Sequence, residues 1–138
     1  RILAAETRPY PDAWARRLKE AFHACGGDAR KLAALDADYG AYLGDVVREF
    51  IEGRVRDLGL DHPVDLVASH GHTIFHRPAD GVTVQVGSGR AIRERTGVRT
   101  VCNFRAQDVA LGGQGAPLVP VGDALLFGSY AVCINLGG

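Results

Sequence analysis

Residues 103–120 read Asn-Phe-Arg-Ala-Gln-Asp-Val-Ala-Leu-Gly-Gly-Gln-Gly-Ala-Pro-Leu-Val-Pro and follow directly on a run rich in β-branched residues. Arg105 offers a planar fork of hydrogen-bond donors to carboxylate or phosphate oxygens, and Asp108 can accept from a sugar hydroxyl or deprotonate it. The glycines allow a ligand to approach the backbone closely. The pattern predicts a strand that delivers these groups to a ligand. The alternative is an Arg105–Asp108 pair that only pins a tight loop.

Helical spacing dominates the residues near the N-terminus. Apolar side chains recur every three or four positions, which predicts one helix at 13–24, capped by Asp12, and an amphipathic segment at 30–58. The second segment is either one long helix or two helices with a break near Gly40 or Gly44. Its apolar stripe is interpreted as core packing.

Strand-like runs separated by turn residues follow these helices. Apolar alternation predicts a hairpin around a Pro-Ala-Asp-Gly turn, and Gly97 closes a short helix. The predicted strands are 1–7, 64–69, 73–76, 82–86, 98–104 and 130–136, and the predicted short helices are 90–96 and 123–127. Helices combined with glycine-broken strands indicate an α/β domain.

The composition is that of an ordinary globular chain of 138 residues, 46% hydrophobic and 23% charged. Sixteen basic and sixteen acidic residues cancel without a run of like charge, which argues against binding to nucleic acid or a membrane surface. The sequence shows neither a signal-peptide pattern nor an apolar run of membrane-spanning length. Cys25, Cys102 and Cys133 are widely spaced, so we expect small buried side chains in a reducing cytoplasm.

Histidines cluster after the strand predicted at 64–69, in Ser69-His70-Gly71-His72-Thr73, with His76 close behind. Alternate side chains at a strand end can bind one metal ion, so a metal hydrolase that uses His70, His72 and His76 is one hypothesis. No later His or Cys cluster completes such a site in the sequence. Hydrogen bonding to a substrate or loop is the favoured interpretation.

Two further glycine motifs bear on phosphate binding. Residues 85–89, Gln-Val-Gly-Ser-Gly, open a helix whose free amides can bind an anion, although the match to a dinucleotide fingerprint is poor. Residues 134–138, Ile-Asn-Leu-Gly-Gly, form an apolar run that enters a glycine turn. Several ATP-using folds bring such a hairpin against phosphates.

Taken in order, these motifs resemble the anhydro-N-acetylmuramic acid kinase family over about residues 32–138. The segments that carry the resemblance are Leu35-Asp36 with Gly40, Ser69-His70-Gly71-His72-Thr73 with His76, Gln85-Val86-Gly87, Thr96-Gly97, Asn103-Phe104-Arg105 with Asp108, residues 112–120, and residues 134–138. Two positions depart from the family pattern. Asn103 stands where aspartate is usual, which keeps hydrogen bonding but loses charge, and His72 stands where glutamine is common.

The resemblance implies a fold and a domain organisation. The fold would be part of one lobe of a two-lobe α/β kinase of the acetate kinase, heat-shock ATPase and actin type, which is ribonuclease H-like. Residues 1–138 would form an incomplete N-terminal lobe, mainly helical over 1–62 and mainly strands and glycine-rich loops over 63–138. Both ends read as strands without partners, so we expect a fragment that stops at the start of the next phosphate hairpin.

The resemblance also implies an activity. The full-length protein would be an ATP-dependent kinase that opens 1,6-anhydro-N-acetylmuramic acid and phosphorylates its O6, giving N-acetylmuramic acid 6-phosphate in peptidoglycan recycling. ATP with Mg²⁺ would be the phosphoryl donor. The partners would be the sugar and ATP in the cytoplasm, with no nucleic acid or membrane. A homodimer of the full-length protein is also possible. The alternatives are a non-catalytic amino-sugar-binding relative and the His-x-His metal hydrolase.

The resemblance assigns site residues to two sides of a cleft. The residues expected to bind the sugar are His70, Gln85, Arg105 and Asp108, and those expected to bind phosphate are Asn135, Gly137 and Gly138. The family's N-terminal phosphate loop would precede residue 1, and the Asp-x-Gly-Pro-Gly-Asn segment with the catalytic base would follow Gly138. We therefore assign no catalytic residue to this chain and expect it to be inactive on its own.

Overall fold

The computed structural model describes residues 2–59, 64–116 and 118–134. Its first helix, α1, spans Asp12–Cys25 and ends at Gly26, which adopts the left-handed conformation that glycine tolerates best. Asp12 is the first helical residue and makes no capping hydrogen bond, so the predicted cap is wrong. Residues 2–11 form no strand, contrary to prediction, because no neighbouring segment pairs with them; Arg8 instead donates to Glu49 on the next helix at 2.5 Å.

The second helix, α2, spans Ala29–Phe50 without a break. The side chain of Asp28 caps it by accepting hydrogen bonds from the backbone N–H groups of Arg30 and Lys31. The helix continues as a π turn over Ile51–Val55 and a 3₁₀ turn over Arg56–Leu58, so the single long helix is confirmed.

Gly40 and Gly44 are contact points of α2 and do not interrupt it. They face the helix α3, Gly89–Thr96, and the residue that precedes it. A Cβ atom at Gly40 would lie 2.6 Å from the carbonyl oxygen of Ser88, and one at Gly44 would lie 2.7 Å from Cβ of Arg95. The absence of side chains therefore lets the two helical segments pack closely.

Within the described residues, four strands form two separate two-stranded sheets. Their bounds are β1 Leu66–Ser69, β2 His72–Arg77, β3 Val82–Val86 and β4 Arg99–Cys102. β1 and β4 pair in parallel, with Leu66 opposite Arg99. β2 and β3 form the predicted antiparallel hairpin, which turns through a 3₁₀ segment at Pro78–Asp80 and bulges between Thr73 and Phe75. The structure is thus α/β, as the sequence indicates.

The predicted strand at 98–104 is too long at its C-terminal end. β4 stops at Cys102, because Asn103 has φ of +61° and turns the chain into a helix, α4, at Phe104–Ala110. A last helix, α5, spans Leu118–Phe127 and is longer than predicted. Residues 130–134 form no strand, and residues 135–138 lie outside the described part. The described residues between 64 and 134 therefore carry three α-helices beside the four strands.

The core lies where α1 and α2 meet the hairpin. Its buried members are Leu18, Ala21, Cys25, Leu35, Tyr39 and Val86. The Tyr39 hydroxyl lies 2.7 Å from that of Tyr10, and burial raises the pKa of Tyr39 far above its usual value, with the Tyr10 hydrogen bond as the second cause. The ring of Trp14 packs on Tyr39 at 5.3 Å between centroids. A polar hydroxyl in this core is therefore paired.

The cysteine prediction is right for one residue of three. Cys25 is buried, whereas Cys102 and Cys133 are exposed, and none forms a disulfide. Cys102 ends a strand of a sheet that has only two strands, and Cys133 lies in an irregular segment, so neither is covered. Among the described residues, no helix combines the length and apolar character needed to cross a membrane.

Candidate functional site

A cleft of about 620 Å³ opens between the first half of α2, the end of the hairpin and the start of α3. Polar groups reach it from several parts of the chain. Those used in the following paragraphs are Asp36, His70, Gly71, Gln85, Gly87 and Asn103. The structure thus gathers two of the four predicted sugar-binding residues, His70 and Gln85, at one cleft, while Arg105 and Asp108 do not line it.

Asp36 fixes the floor of the cleft. Its Oδ1 accepts a hydrogen bond from the backbone N–H of Gly87 at 2.8 Å, and its carbonyl oxygen accepts from Ser88 N–H at 3.0 Å. The helix α2 is therefore attached to the segment between β3 and α3 at two points. This attachment accounts for the presence of Asp36 and Gly40, one helical turn apart, among the motifs that carry the family resemblance.

His70 lines the cleft, and the backbone of its neighbour Gly71 makes a tight contact there. Gly71 has φ of +71°, and a Cβ atom there would collide with the carbonyl oxygen of Val86. The segment after β1 therefore lies directly against the end of β3. The His70 side chain is exposed, and its Nδ1 lies 3.2 Å from the Gly71 carbonyl oxygen, which leaves Nε2 toward solvent or a ligand.

Gln85 presents an unmatched acceptor. Its amide nitrogen donates to the Thr83 hydroxyl at 2.7 Å and to the Thr73 hydroxyl at 3.4 Å. Its Oε1 is buried and has no hydrogen-bond partner within the described ranges. A buried acceptor without a donor costs about 1–3 kcal/mol.

Arg105 lies beside the hairpin and uses three of its nitrogens within the protein. Nε donates to the carbonyl oxygen of Gly115 at 2.5 Å, Nη1 donates to the Thr73 hydroxyl at 3.4 Å, and Nη2 lies 3.2 Å from Nε2 of His76. The side chain is half-buried. The guanidinium is therefore committed to the loop and the hairpin.

Asp108 holds the same loop from its other side. Its Oδ2 accepts from the backbone N–H of Gly115 at 2.6 Å, and its carbonyl oxygen accepts from Gly113 N–H at 2.8 Å. No ion pair joins Arg105 and Asp108 directly in the part of the chain that the structure describes. Both side chains shape the loop, through the backbone of Gly115 and without a contact of their own.

In the glycine loop, residues 112–115, the N–H groups of the glycines donate hydrogen bonds to other groups of the protein. Gly112 N–H donates to the Val109 carbonyl oxygen at 3.0 Å, and the N–H groups of Gly113 and Gly115 both reach Asp108. A side chain at Gly113 would collide with the Asp108 carboxylate. The expectation that these glycines offer bare backbone to a ligand is therefore wrong for three of their N–H groups, because the loop folds back on α4.

The histidines of the His-x-His motif serve different neighbours. His72 meets the Tyr39 ring edge-on at 6.4 Å, and burial lowers its pKa, with nearby His70 as a second cause. His76 contacts Arg105 and Thr83. Within the described ranges, no group of three or more His, Cys, Asp or Glu side chains is placed to hold a metal ion. The geometry gives the metal-hydrolase hypothesis no third ligand.

Several contacts at this site carry no local sequence signal. The hydrogen bond between Asp36 and Gly87 joins segments that are far apart in the chain, and so does the contact of His76 with Arg105. Their presence in the ordered motif series was the one signal that could have pointed to them. The predicted phosphate-binding residues Asn135, Gly137 and Gly138 lie outside the described residues.

Comparison with known proteins decides the family. The model of the family described as anhydro-N-acetylmuramic acid kinase matches residues 1–138. The chain belongs to this family. The match includes the N-terminal residues that the motif series leaves out, and the family is one of phosphotransferases.

Curated relatives agree with this assignment. The chain is 40% identical to an anhydro-N-acetylmuramic acid kinase of Synechocystis sp. and 39% identical to one of Synechococcus elongatus, in each case over 99% of this chain and 36% of the relative. It is 48% identical to one of Rhizobium etli over 54% of this chain and 22% of that relative. The chain thus spans about a third of the length of the first two relatives.

Proposed function

We propose that this chain is part of an ATP-dependent kinase that converts 1,6-anhydro-N-acetylmuramic acid into N-acetylmuramic acid 6-phosphate during peptidoglycan recycling. Water would add to C1 as the C1–O6 bond breaks, and O6 would take the γ-phosphoryl group of ATP, releasing ADP. The observation that carries the proposal is the family match over the whole chain. The compartment would be the cytoplasm, and the partners would be the sugar and ATP.

The cleft supports a sugar-facing role for His70 and Gln85. Gln85 and the exposed His70 both line the cleft, and the Oε1 of Gln85 has no hydrogen-bond partner among the described residues. Sugars present many hydroxyl donors, so an unmatched buried acceptor fits this class of ligand. Arg105 and Asp108 would serve the sugar side by setting the shape of the glycine loop.

The phosphate side rests on the family resemblance alone. Asn135, Gly137 and Gly138 are our candidates there, and the donor would be ATP with Mg²⁺. The carboxylate of Asp36, which lines the cleft, is already committed to Gly87 N–H, and the described residues gather no metal-ligand group. We assign no Mg²⁺ ligand and no catalytic base to this chain, and we propose that it is inactive on its own.

The proposed architecture is that of the resembled kinases. Residues 1–138 would form part of the N-terminal lobe of a two-lobe, ribonuclease H-like enzyme, with the cleft facing the second lobe. The mixed helices and small sheets of the structure are compatible with such a lobe.

The test is an assay of the full-length protein with the anhydro-sugar, ATP and Mg²⁺, with mass spectrometry to detect the 6-phosphate. We expect product from the wild type and a KM for the sugar raised about tenfold by Gln85→Leu, as for the loss of one buried hydrogen bond to the ligand. Gln107→Leu is the matched control, because Gln107 is exposed on α4 and does not line the cleft. Equal KM values for the two variants would remove Gln85 from the site.

A non-catalytic amino-sugar-binding relative is the second candidate. Asn103 favours it, because this residue lines the cleft where the family usually has a carboxylate. Calorimetry with the anhydro-sugar separates the two candidates. Binding by a full-length protein that forms no 6-phosphate would support the binding module and overturn the kinase.

A further inference from the structure

His76, a residue of the hairpin, contacts Arg105, which holds the glycine loop. On β2, its Nε2 is 3.2 Å from Arg105 Nη2 and its Nδ1 is 3.2 Å from the Thr83 hydroxyl. The imidazole is also next to Gly115, where a Cβ atom would lie 3.1 Å from His76 Cε1. One side chain therefore touches the arginine, the hairpin and the loop.

The partners of His76 select one tautomer. A guanidinium has only donors, so the Nε2 that faces Arg105 must carry no proton. In the neutral imidazole the proton then sits on Nδ1, where it can donate to the Thr83 oxygen. That oxygen also accepts from the Gln85 amide at 2.7 Å. The Nδ1–H tautomer thus satisfies both ring nitrogens and links the loop to the cleft residue Gln85.

The same contacts explain why Arg105 reaches Gly115. The Nε atom of Arg105 binds the Gly115 carbonyl oxygen only while the guanidinium plane is held in one orientation. Its Nη2 contact with His76 and its longer Nη1 contact with Thr73 supply that orientation. A planar, forked group is fixed more strictly by two acceptors than by one.

We propose that His76 is a positioning residue: as the neutral Nδ1–H tautomer it orients Arg105 and so fixes the shape of the glycine loop. The role of this loop as a wall of the sugar site rests on the proposed function. The hydrogen-bond arrangement itself does not, so it can be tested without turnover.

The experiment uses nuclear magnetic resonance on the full-length protein. The ¹⁵N shifts of His76 should report a bare Nε2 and a protonated Nδ1 at neutral pH. Hydrogen exchange of the Gly115 amide, which donates to Asp108, should be about tenfold faster in His76→Leu, because the Arg105 bond that fixes the Gly115 carbonyl oxygen is loosened. His76→Gln places an acceptor near the position of Nε2 and should restore exchange to within about threefold of wild type.

Two further variants keep the test decisive. His23→Leu removes an exposed histidine on α1 and should leave Gly115 exchange unchanged. Thr83→Val removes the Nδ1 partner with little change of shape and should weaken the tautomer preference even if His76→Leu folds poorly. A protonated Nε2 in the wild type, or equal Gly115 exchange in wild type and His76→Leu, would overturn the proposal. Loss of kinase activity alone, with these signals intact, would count against the proposed function only.

Discussion

The carboxylate of Asp36 accepts a hydrogen bond at 2.8 Å from the backbone N–H of Gly87, although the two residues are 51 positions apart in the sequence. Gly87 has φ of +123°, and its N–H would otherwise lie buried without a partner from the sheet. A charged acceptor is a strong partner for such a group. The contact therefore fixes the floor of the cleft to the long helix α2.

Asp36→Ala should lower the free energy of unfolding by about 2 kcal/mol, since it leaves the Gly87 donor unpaired. Asp38→Ala is the matched control, because Asp38 lies on the same helix α2, two positions after Asp36. Asp38 makes an exposed ion pair with Arg17, and such pairs contribute about 0–1 kcal/mol. Urea unfolding followed by circular dichroism measures both variants. Equal losses would show that the Asp36 contact adds nothing beyond a surface pair.

Gly40→Ala should also destabilise the protein, by about 1–3 kcal/mol, because the added methyl meets the Ser88 backbone and neither helix can move freely. Gly53→Ala is its control, since nothing lies within 4 Å of a Cβ atom at that helical position. There, alanine should stabilise by about 0.5–1 kcal/mol through helix propensity. Thermal unfolding of the two variants should shift in opposite directions, and shifts of the same sign would contradict the packing argument.

The local elements were predictable because their signals are local. The hairpin around residues 77–81 and the helix α3 with its Gly97 terminus both follow from turn and cap chemistry within a few residues. Nothing in these predictions required knowledge of a distant segment. The α/β class followed from the order of the elements.

The errors arose where tertiary contacts or a single backbone angle decide the structure. The β-branched run before Asn103 suggested a longer strand. Asn103 has φ of +61°, however, and α4 therefore starts at the next residue. The alternative of a direct Arg105–Asp108 pair is wrong, because both side chains bind the backbone of Gly115, which no local pattern encodes. Cys102 was expected to be buried, but within the described residues its strand pairs only with β1, and the side chain is exposed.

Gly115→Ala should reduce the free energy of unfolding by about 3 kcal/mol. The residue has φ of +70°, and a Cβ atom would lie 2.8 Å from Val109 Cγ2 and 3.1 Å from His76 Cε1, so backbone strain and overpacking add. Gly112→Ala, at φ of +88° with nothing within 4 Å, should cost only the strain of about 1 kcal/mol. Chemical denaturation compares the pair, and an equal cost would mean that the space around Gly115 is not filled.

The half-buried His72 should make stability fall in mild acid. Burial, with His70 as the second cause, lowers the pKa of His72 in the folded state, so the unfolded chain binds its proton first as the pH drops. Its contribution is complete above the unfolded value of about 6.5 and is lost as the pH falls toward the folded value. His72→Gln should flatten the decline between neutral and mildly acidic pH in urea titrations. His23→Gln, on an exposed histidine, should keep the wild-type slope, and a wild-type slope in His72→Gln would refute the argument.

The apolar helix α5 should make the 138-residue chain self-associate when it is produced alone. Leu125 and Leu126 are 79% and 74% exposed, next to the exposed ring of Phe127, and a contiguous apolar surface of this kind favours association. Replacing both leucines by glutamine should lower the mass measured by light scattering across a concentration series without lowering the unfolding midpoint. Leu111→Gln, which removes one exposed side chain outside α5, should change the mass little. A wild-type chain that is monomeric throughout the series would contradict this prediction.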